Sequence, residues 1–486
     1  MVPLLLFAVT AKLATAQPLP PVDRSVVSIT VSFESYPGQL ADDVSRGRLG
    51  EFPPTDSNDP RDLRLIRNSG RHQFANGIVI AERLILTPQH VVDGATKIFV
   101  RGRGGEGSYA NIHAADSRSD LAVLELLAPI PGIEPARFAK PKRISLGDLH
   151  LLAAAFGPID RRIETGRIAA VDRKLDIPDV ILFGGLTAPQ PFVCYGTLVQ
   201  STAPGAKGLS GSGVFSPDGD LIGMTTALAA VAGSELTAGY VMPFDELYRP
   251  IVDVLRQGKE VEYGFLGITW GGGGFGFGRG GFRQPFGPRG MRQMAADDPN
   301  GIVIGGVTPG MPAADAGLEP GDQLAAINGR PITTQAELQF RVAAALAGRP
   351  TELTVRRGGQ LMPPVTVRLA KAKNEMPFLA SRQYPPVFGL TVDHWSIVMQ
   401  EIMRNDREAR SMIVPRGVVI TSIDPDSPVS RRLTEPNRRY IITAVDQKPV
   451  DSPDEFHDAV AGKRSVRLNV ARVGDVSGRN FEVILP

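Results

Sequence analysis

From Gly70 to about Met242 the chain is a succession of short apolar runs separated by turn-forming clusters. "GIVIAERLILT", "TKIFVRG", "DLAVLEL", "ILFGG" and "LIGMTTAL" each predict a β-strand or a pair of strands. Many short strands with little helical periodicity predict an all-β barrel or sandwich. The pattern changes at "PFDELYRPIVDVLRQGKEV", where Leu247, Ile251, Val254 and Leu255 recur at helical spacing and Gly258 ends the run. This stretch is expected to be a helical connector out of the β-rich region. Beyond it the pattern occurs twice. "YGFLGITW" (263–270) leads to "GVTPGMPAADAGLEPGDQLAAINGRPI", and "VFGLTVDH" (387–394) leads to "GVVITSIDPDSPVSRRLTEPNRRYIITAVDQKPV". Each is followed by a helical stretch, "TTQAELQFRVAAAL" or "SPDEFHDAVAG", and a closing strand. A two-copy repeat implies two copies of one small domain.

Composition narrows the classes. A chain of 486 residues predicts roughly three domains at ~150 residues each. Lysine plus arginine (53) nearly balances aspartate plus glutamate (51), which disfavours a dedicated nucleic-acid binder. The Gly-, Phe- and Arg-rich tract 271–294 could stack on RNA, but in a near-neutral chain it reads as a flexible loop. Cys194 is the only cysteine, so an intrachain disulfide is excluded, and with six histidines it forms no zinc pattern. No HExxH and no P-loop occur, so neither a metal, a cofactor nor ATP coupling is expected. At the N-terminus an apolar run from Val2 to Val9 precedes Ala14-Thr15-Ala16, the pattern of a signal peptide cut after Ala16. No basic residue precedes that run, which leaves an unprocessed start as the alternative. A membrane span needs ~20 apolar residues, and no stretch supplies them.

Candidate chemistry centres on "GAKGLSGSGVF" (205–215). A serine hydroxyl becomes a nucleophile only beside a base, and the base needs a third group to hold its tautomer. His90 in "LILTPQHVVDGA" follows an apolar strand and a turn; Asp120 in "DSRSDLAVLEL" precedes another, with Asp116 a nearby competitor. Ser210 lies in a turn after Gly208, where adjacent backbone N–H groups can converge. The order His, Asp, Ser is one of the known orders of a catalytic triad.

These three motifs, with "QSTAPGAKGLSGSGVFSPDGDLIGM" and "GYVMP" (239–243), resemble those of HtrA/DegP-type serine proteases over residues 70–486. The resemblance implies a mainly β fold: a trypsin-like double β-barrel followed by two PDZ domains, each small, barrel-like and carrying helices. It assigns His90 as general base, Asp120 as its orienter, Ser210 as nucleophile, and the N–H groups of Gly208 and Ser210 as oxyanion donors. Leu209 stands where the family pattern has a polar residue, so no carboxylate awaits a freed N-terminal ammonium. Ser212-Gly213 replaces Gly-Pro, which is expected to loosen the loop. Pro204 is placed at the floor of the specificity pocket, with Met224 and Thr226 in its wall, which predicts small apolar residues before the cut. In PDZ domains a Φ-Gly-Φ loop receives a C-terminal carboxylate. Tyr263, Gly264, Phe265, Leu266, Gly267 and Ile268 are expected to form it in the first copy. Phe388, Gly389 and Leu390, within Val387–Val392, are expected to form it in the second. That copy lacks the Gly321-Asp322 turn of the first.

The expected order is signal peptide 1–16, N-terminal segment 17–69, protease domain 70–245 and connector 246–260. The first PDZ domain 261–371 contains the insertion 271–294, and the linker 372–385 leads to a divergent second PDZ domain, 386–486. The function implied is an exported, periplasmic, ATP-independent endopeptidase that cleaves unfolded or damaged proteins and binds C-terminal peptides. A catalytically silent PDZ scaffold or holdase is the alternative. The family also implies a homotrimer or larger assembly, with the apolar stretch 26–36 as a possible contact.

Overall fold

The computed structural model describes residues 20–32, 72–141, 143–156, 160–174, 192–203, 205, 208–226, 239–270, 301–374, 376–405, 415–427, 429–431, 433, 440–473 and 480–485. The expected signal peptide, the insertion 271–294, Pro204 and the "ILFGG" run lie outside them. Two compact units result. The first is drawn from Met1–Asn111, Leu124–Arg173 and Leu198–Asp245. The second is drawn from Ile112–Val123, Lys174–Thr197 and Glu246–Pro486.

The fold is mainly β, and it begins with two six-stranded barrels. Strands β1 (Val26–Ser32), β2 (His72–Ala81), β3 (Leu84–Thr87), β4 (Lys97–Arg101), β5 (Gly107–Asp116) and β6 (Leu121–Leu126) run in the order β5-β4-β1-β2-β3-β6, and β5 also pairs with β6. β1 was not foreseen as a barrel strand. Its residues Val26, Val27, Ile29 and Val31 are buried, and it pairs with β2 on one side and β4 on the other. Residues 26–32 are therefore consumed by the barrel rather than presented as a contact; 33–36 lie outside the described residues. The second barrel closes as β10-β11-β12-β9-β8-β7. It comprises β7 (Leu149–Phe156), β8 (Asp160–Arg173), β9 (Leu198–Ser201), β10 (Gly213–Phe215), β11 (Leu221–Thr226) and β12 (Gly239–Pro243). The register of β8 on β9 slips between Ile168 and Ala170 and again between Ala170 and Arg173. Such bulges bend a long strand, as closure requires.

The second unit holds the repeats. Its connector helix, Tyr248–Leu255, buries Tyr248, Ile251, Val252 and Leu255, and Gly258 beyond it takes a φ of +75°. The first copy contains β13 (Gly264–Phe265), β14 (Ile268–Trp270), β15 (Ile302–Val307), β16 (Gln323–Ile327), β17 (Arg330–Pro331), β18 (Pro350–Arg357), β19 (Gln360–Leu361), β20 (Val365–Arg368) and β21 (Ala370–Lys371). After β22 (Phe378–Ala380), the second contains β23 (Leu390–His394), β24 (Val418–Ile423), β25 (Tyr440–Val445), β26 (Lys448–Pro449), β27 (Val466–Arg472) and β28 (Phe481–Leu485). The path β14-β15-β16-β18-β19 is repeated as β23-β24-β25-β27-β28, with β17 and β26 as matching side pairs.

Local chemistry repeats as well. The two-residue turns Asn328-Gly329 and Asp446-Gln447 both have positive φ, as a tight hairpin requires. The helix Gln335–Ala344 starts on a capping box between Thr334 and Glu337. The helix Pro453–Val460 starts on Ser452, whose hydroxyl accepts the Glu455 N–H at 3.2 Å. The helix Ser396–Asn405 between β23 and β24 was also not foreseen. Its Val398 and Met399 are buried with Trp395, Met311, Val419 and Ile441.

Candidate active site

The first unit brings His90 and Ser210 together: His90 Nε2 and Ser210 Oγ are 3.0 Å apart. His90 lies on the single-turn helix Gln89–Val92, which Pro88 begins in extended conformation at the end of β3. Ser210 lies between Gly208 and Gly211, whose φ values of +92° and +87° are open to glycine at little cost. A Cβ on Gly211 would sit 1.9 Å from the Asn76 carbonyl oxygen, so that position tolerates no side chain.

Asn76 holds the turn in place. Its backbone N–H donates to the Ser210 carbonyl (2.7 Å), and its side-chain Nδ2 donates to the Gly208 carbonyl (2.8 Å). Its Oδ1 accepts the Ala155 N–H from β7 (2.5 Å), and its carbonyl accepts the Thr87 hydroxyl (2.9 Å), three residues before His90. The Leu209 carbonyl accepts the Ser212 N–H (3.1 Å), the Ser212 hydroxyl (2.8 Å) and the Thr225 hydroxyl. In a planar trans peptide the N–H points opposite to the C=O. Those three donors therefore aim the Ser210 N–H away from Thr225. The loop expected to be loosened by losing a proline is instead pinned by Ser212, which is fully buried.

In the second unit, Asp120 closes the turn 117–120 between β5 and β6. It is buried and has a φ of +56°, a backbone conformation that a non-glycine residue adopts only when its surroundings impose it. Asp116, the nearby competitor, is committed elsewhere. Its Oδ2 accepts the Ser119 N–H (2.8 Å), the Ser119 hydroxyl (2.6 Å) and the Tyr263 hydroxyl. Burial pushes the Asp116 carboxyl up, against the pull of the Ser119 and Tyr263 donors. Burial and Asp116 together hold the Tyr263 hydroxyl well above its ordinary value.

A hydrogen-bonded serine and histidine do not by themselves make a site. His150 Nε2 lies 2.8 Å from Ser201 Oγ inside the second barrel, but His150 is fully buried, whereas His90 is partly exposed. The turn around Ser210, with its two left-handed glycines and oriented peptide, makes the difference. The trypsin-like peptidase domain family matches residues 75–224, a span holding His90, Asp120 and Ser210, and the PDZ domain family matches 303–357. The chain is a serine endopeptidase with a trypsin-like domain, and it is similar to proteases of the HtrA/DegP type. A probable periplasmic serine endoprotease, DegP-like, of Pseudomonas fluorescens is 24% identical over 97% of this chain and 90% of its own. The periplasmic serine endoprotease DegP of Salmonella typhimurium is 24% identical over 84% of this chain and 77% of its own. Among solved structures, an HtrA-type protease AlgW with a decapeptide is 22% identical and covers 72% of this chain and 97% of its own, at a TM-score of 0.43.

In this serine endopeptidase the remaining expected residues divide. Met224 and Thr226 lie buried on β11, while Pro204 and 227–230 lie outside the described residues. In the first PDZ copy Tyr263 is committed to other contacts. Its side chain is buried on Asp116, and its carbonyl accepts the Ala372 N–H (2.7 Å). Gly264 and Phe265 pair with Lys371 and Ala370. That leaves Leu266, Gly267 (φ +81°) and Ile268 at the start of β14, an edge strand of its sheet. In the second copy, Phe388 and Gly389 form a tight turn of positive φ, and the Leu390 N–H donates to the Val387 carbonyl at 2.9 Å. That donor is already spent on the turn.

The sequence reading did not single out Asn76 or Thr225, and it expected Tyr263 in a peptide-binding loop rather than on Asp116. Asn76 had one visible signal, a lone amide inside the apolar strand "FANGIVI". Among the described residues no group of three or more His, Cys, Asp or Glu could hold a metal ion. Nor is any described helix long and apolar enough to cross a membrane.

Proposed function

We propose that this protease cleaves unfolded or damaged proteins through a triad of Ser210, His90 and Asp120. The contact between His90 Nε2 and Ser210 Oγ carries this reading. His90 takes the hydroxyl proton as Ser210 Oγ attacks the scissile carbonyl, and the N–H groups of Gly208 and Ser210 receive the developing oxyanion. His90 then gives the proton to the leaving amine, and water repeats the sequence to release the acyl group. Asp120 holds the imidazole tautomer and stabilises the imidazolium. Met224, Thr226 and Pro204 line a small apolar pocket that selects Val, Ala or Ile before the cut, at ~1–3 kcal/mol per methylene. The first PDZ copy captures C-terminal carboxylates at Leu266–Ile268 while the peptide adds to the edge of β14. The protease works outside the cytoplasm, as the relatives named periplasmic do. It assembles from several copies of the chain.

Digestion of an unfolded protein tests the whole reading. Ser210→Ala and His90→Ala should each lower kcat by on the order of 10⁶-fold, and together by no more than either alone, because triad members act as a unit. Cleavage by Ser210→Ala at the wild-type rate would return the scaffold reading. Mapping the cut sites in the same digest checks the pocket, and a majority after Arg, Lys or Glu would refute it. Light scattering of the same preparation reads the assembly state, and a monomer would refute self-assembly.

A further inference from the structure

The turn that presents Asp120 is tied to a residue more than a hundred positions further along the chain. Oδ2 of the buried Asp116 collects two donors from the turn's own Ser119 and one from outside it, the Tyr263 hydroxyl. Oδ1 has no hydrogen-bond partner among the described residues, so the hold on this carboxylate is concentrated on one oxygen. Arg118, in the same turn, lies over the Tyr263 ring (4.7 Å) and the Phe192 ring (5.5 Å), and its carbonyl accepts the Phe192 N–H at 2.8 Å. Phe192 meets Tyr263 edge-on at 5.4 Å. Tyr263 is itself fixed through Ala372 and the pairing of Gly264 with Lys371. Asp116, Arg118 and Ser119 are thus all clamped, and the next residue, Asp120, sits in a left-handed conformation at φ +56°. Such a conformation relaxes unless neighbours over-determine it, and Tyr263 is the outside residue that touches both the Asp116 and the Arg118 side chains.

We propose that Tyr263 is a positioning residue for proteolysis: through Asp116 it holds the 117–120 turn so that Asp120 is presented in its working conformation. Tyr263 touches no substrate. It was expected in a peptide-binding loop, and its hydroxyl lies on Asp116. The inference rests on Asp120 being the orienting carboxylate.

The test uses the full-length chain, a chromogenic peptide substrate and variants whose shapes are conserved. Tyr263→Phe keeps the ring and its contacts with Arg118 and Phe192 and deletes only the hydroxyl. It should lower kcat about tenfold with KM unchanged, since small misplacements of a catalytic group cost up to about 10²-fold. Asp116→Asn, whose amide oxygen still accepts from Tyr263 and Ser119, should stay close to wild type. Asp116→Ala should lose as much as Tyr263→Phe, and the double variant Asp116→Ala, Tyr263→Phe should lose no more than Asp116→Ala alone. Rates are read well below each variant's Tm, so that a merely structural loss shows in Tm and not in kcat. Wild-type kcat in Tyr263→Phe, a changed KM with kcat intact, or additive losses in the double variant would overturn the proposal. Asp120→Asn separates the two levels of inference. If it cleaves like wild type the triad assignment fails. If it is inactive while Tyr263→Phe is unimpaired, only the positioning role fails.

Discussion

Asn76 touches the Gly208 carbonyl, the Ser210 carbonyl, the Ala155 N–H and the Thr87 hydroxyl, so one residue sets the distance between the histidine strand and the serine turn. Asn76→Ala leaves the Gly208 carbonyl and the Ala155 N–H without these partners in a buried place, at about 1–3 kcal/mol each. A loss of several kcal/mol in urea unfolding is expected, together with a lower kcat. Asn76→Asp is more selective. Its carboxylate still accepts from Ala155 but faces the Gly208 carbonyl with a second acceptor, so kcat should fall by more than stability does. Equal activity in Asn76→Asp would show that the Gly208 contact is idle. The pairing of His90 with Ser210 was legible beforehand because nucleophile chemistry demands particular residue types in dense motifs, and Asp120 was proposed on the same ground. Asn76 was not legible, because an amide in a strand carries no meaning until its strand has neighbours. The contact of Tyr263 with Asp116 was not legible for a related reason. It adjoins the glycine-rich loop in sequence, but pairing of Gly264 and Phe265 with β21 puts it one strand earlier.

Among the elements, β7 carries a liability into the second barrel. Burial holds the His150 imidazole below its ordinary value of 6.5, so the folded chain keeps it neutral where the unfolded chain would bind a proton. The unfolded state therefore binds more protons below about pH 6.5, and the stability contributed by the neutral ring is lost as pH falls below that value. Unfolding followed from about pH 8 to pH 5 should show a stability falling below about pH 6.5, and less steeply in His150→Gln. A slope unchanged by the substitution would place the titration elsewhere, with His457, whose value burial also lowers, the next group to examine. Strands such as β4 and β11 were readable from their apolar runs, and the Gln335–Ala344 helix from the run "TTQAELQFRVAAAL". The 14-residue β8, "DRRIETGRIAAVDR", was not, since its charged residues hide a strand that barrel closure alone accounts for.

For the molecule as a whole, duplication was plain in the sequence, while the unequal fates of the two copies were not. Both follow one strand path, yet the Leu390 N–H is engaged by Val387 in the second. Titration with a peptide ending in an apolar residue should therefore give about one site per chain, from the first copy, and amidating its C-terminus should abolish the signal, because backbone N–H groups there recognise a carboxylate. Two equal sites, or an undiminished amidated peptide, would contradict this. The same scale gives β1 a meaning beyond its place in the barrel. Its partners Ile78 and Arg101 come some fifty and seventy residues later than Val26 and Ser28. A chain delivered N-terminus first thus presents a seven-residue apolar ribbon with both edges open long before either neighbour arrives. Open apolar edges are templates for aggregation. The protease therefore passes through its own stage as an unfolded, adhesive polypeptide, and a shielding factor present during its delivery should raise its yield more than one added after synthesis is complete.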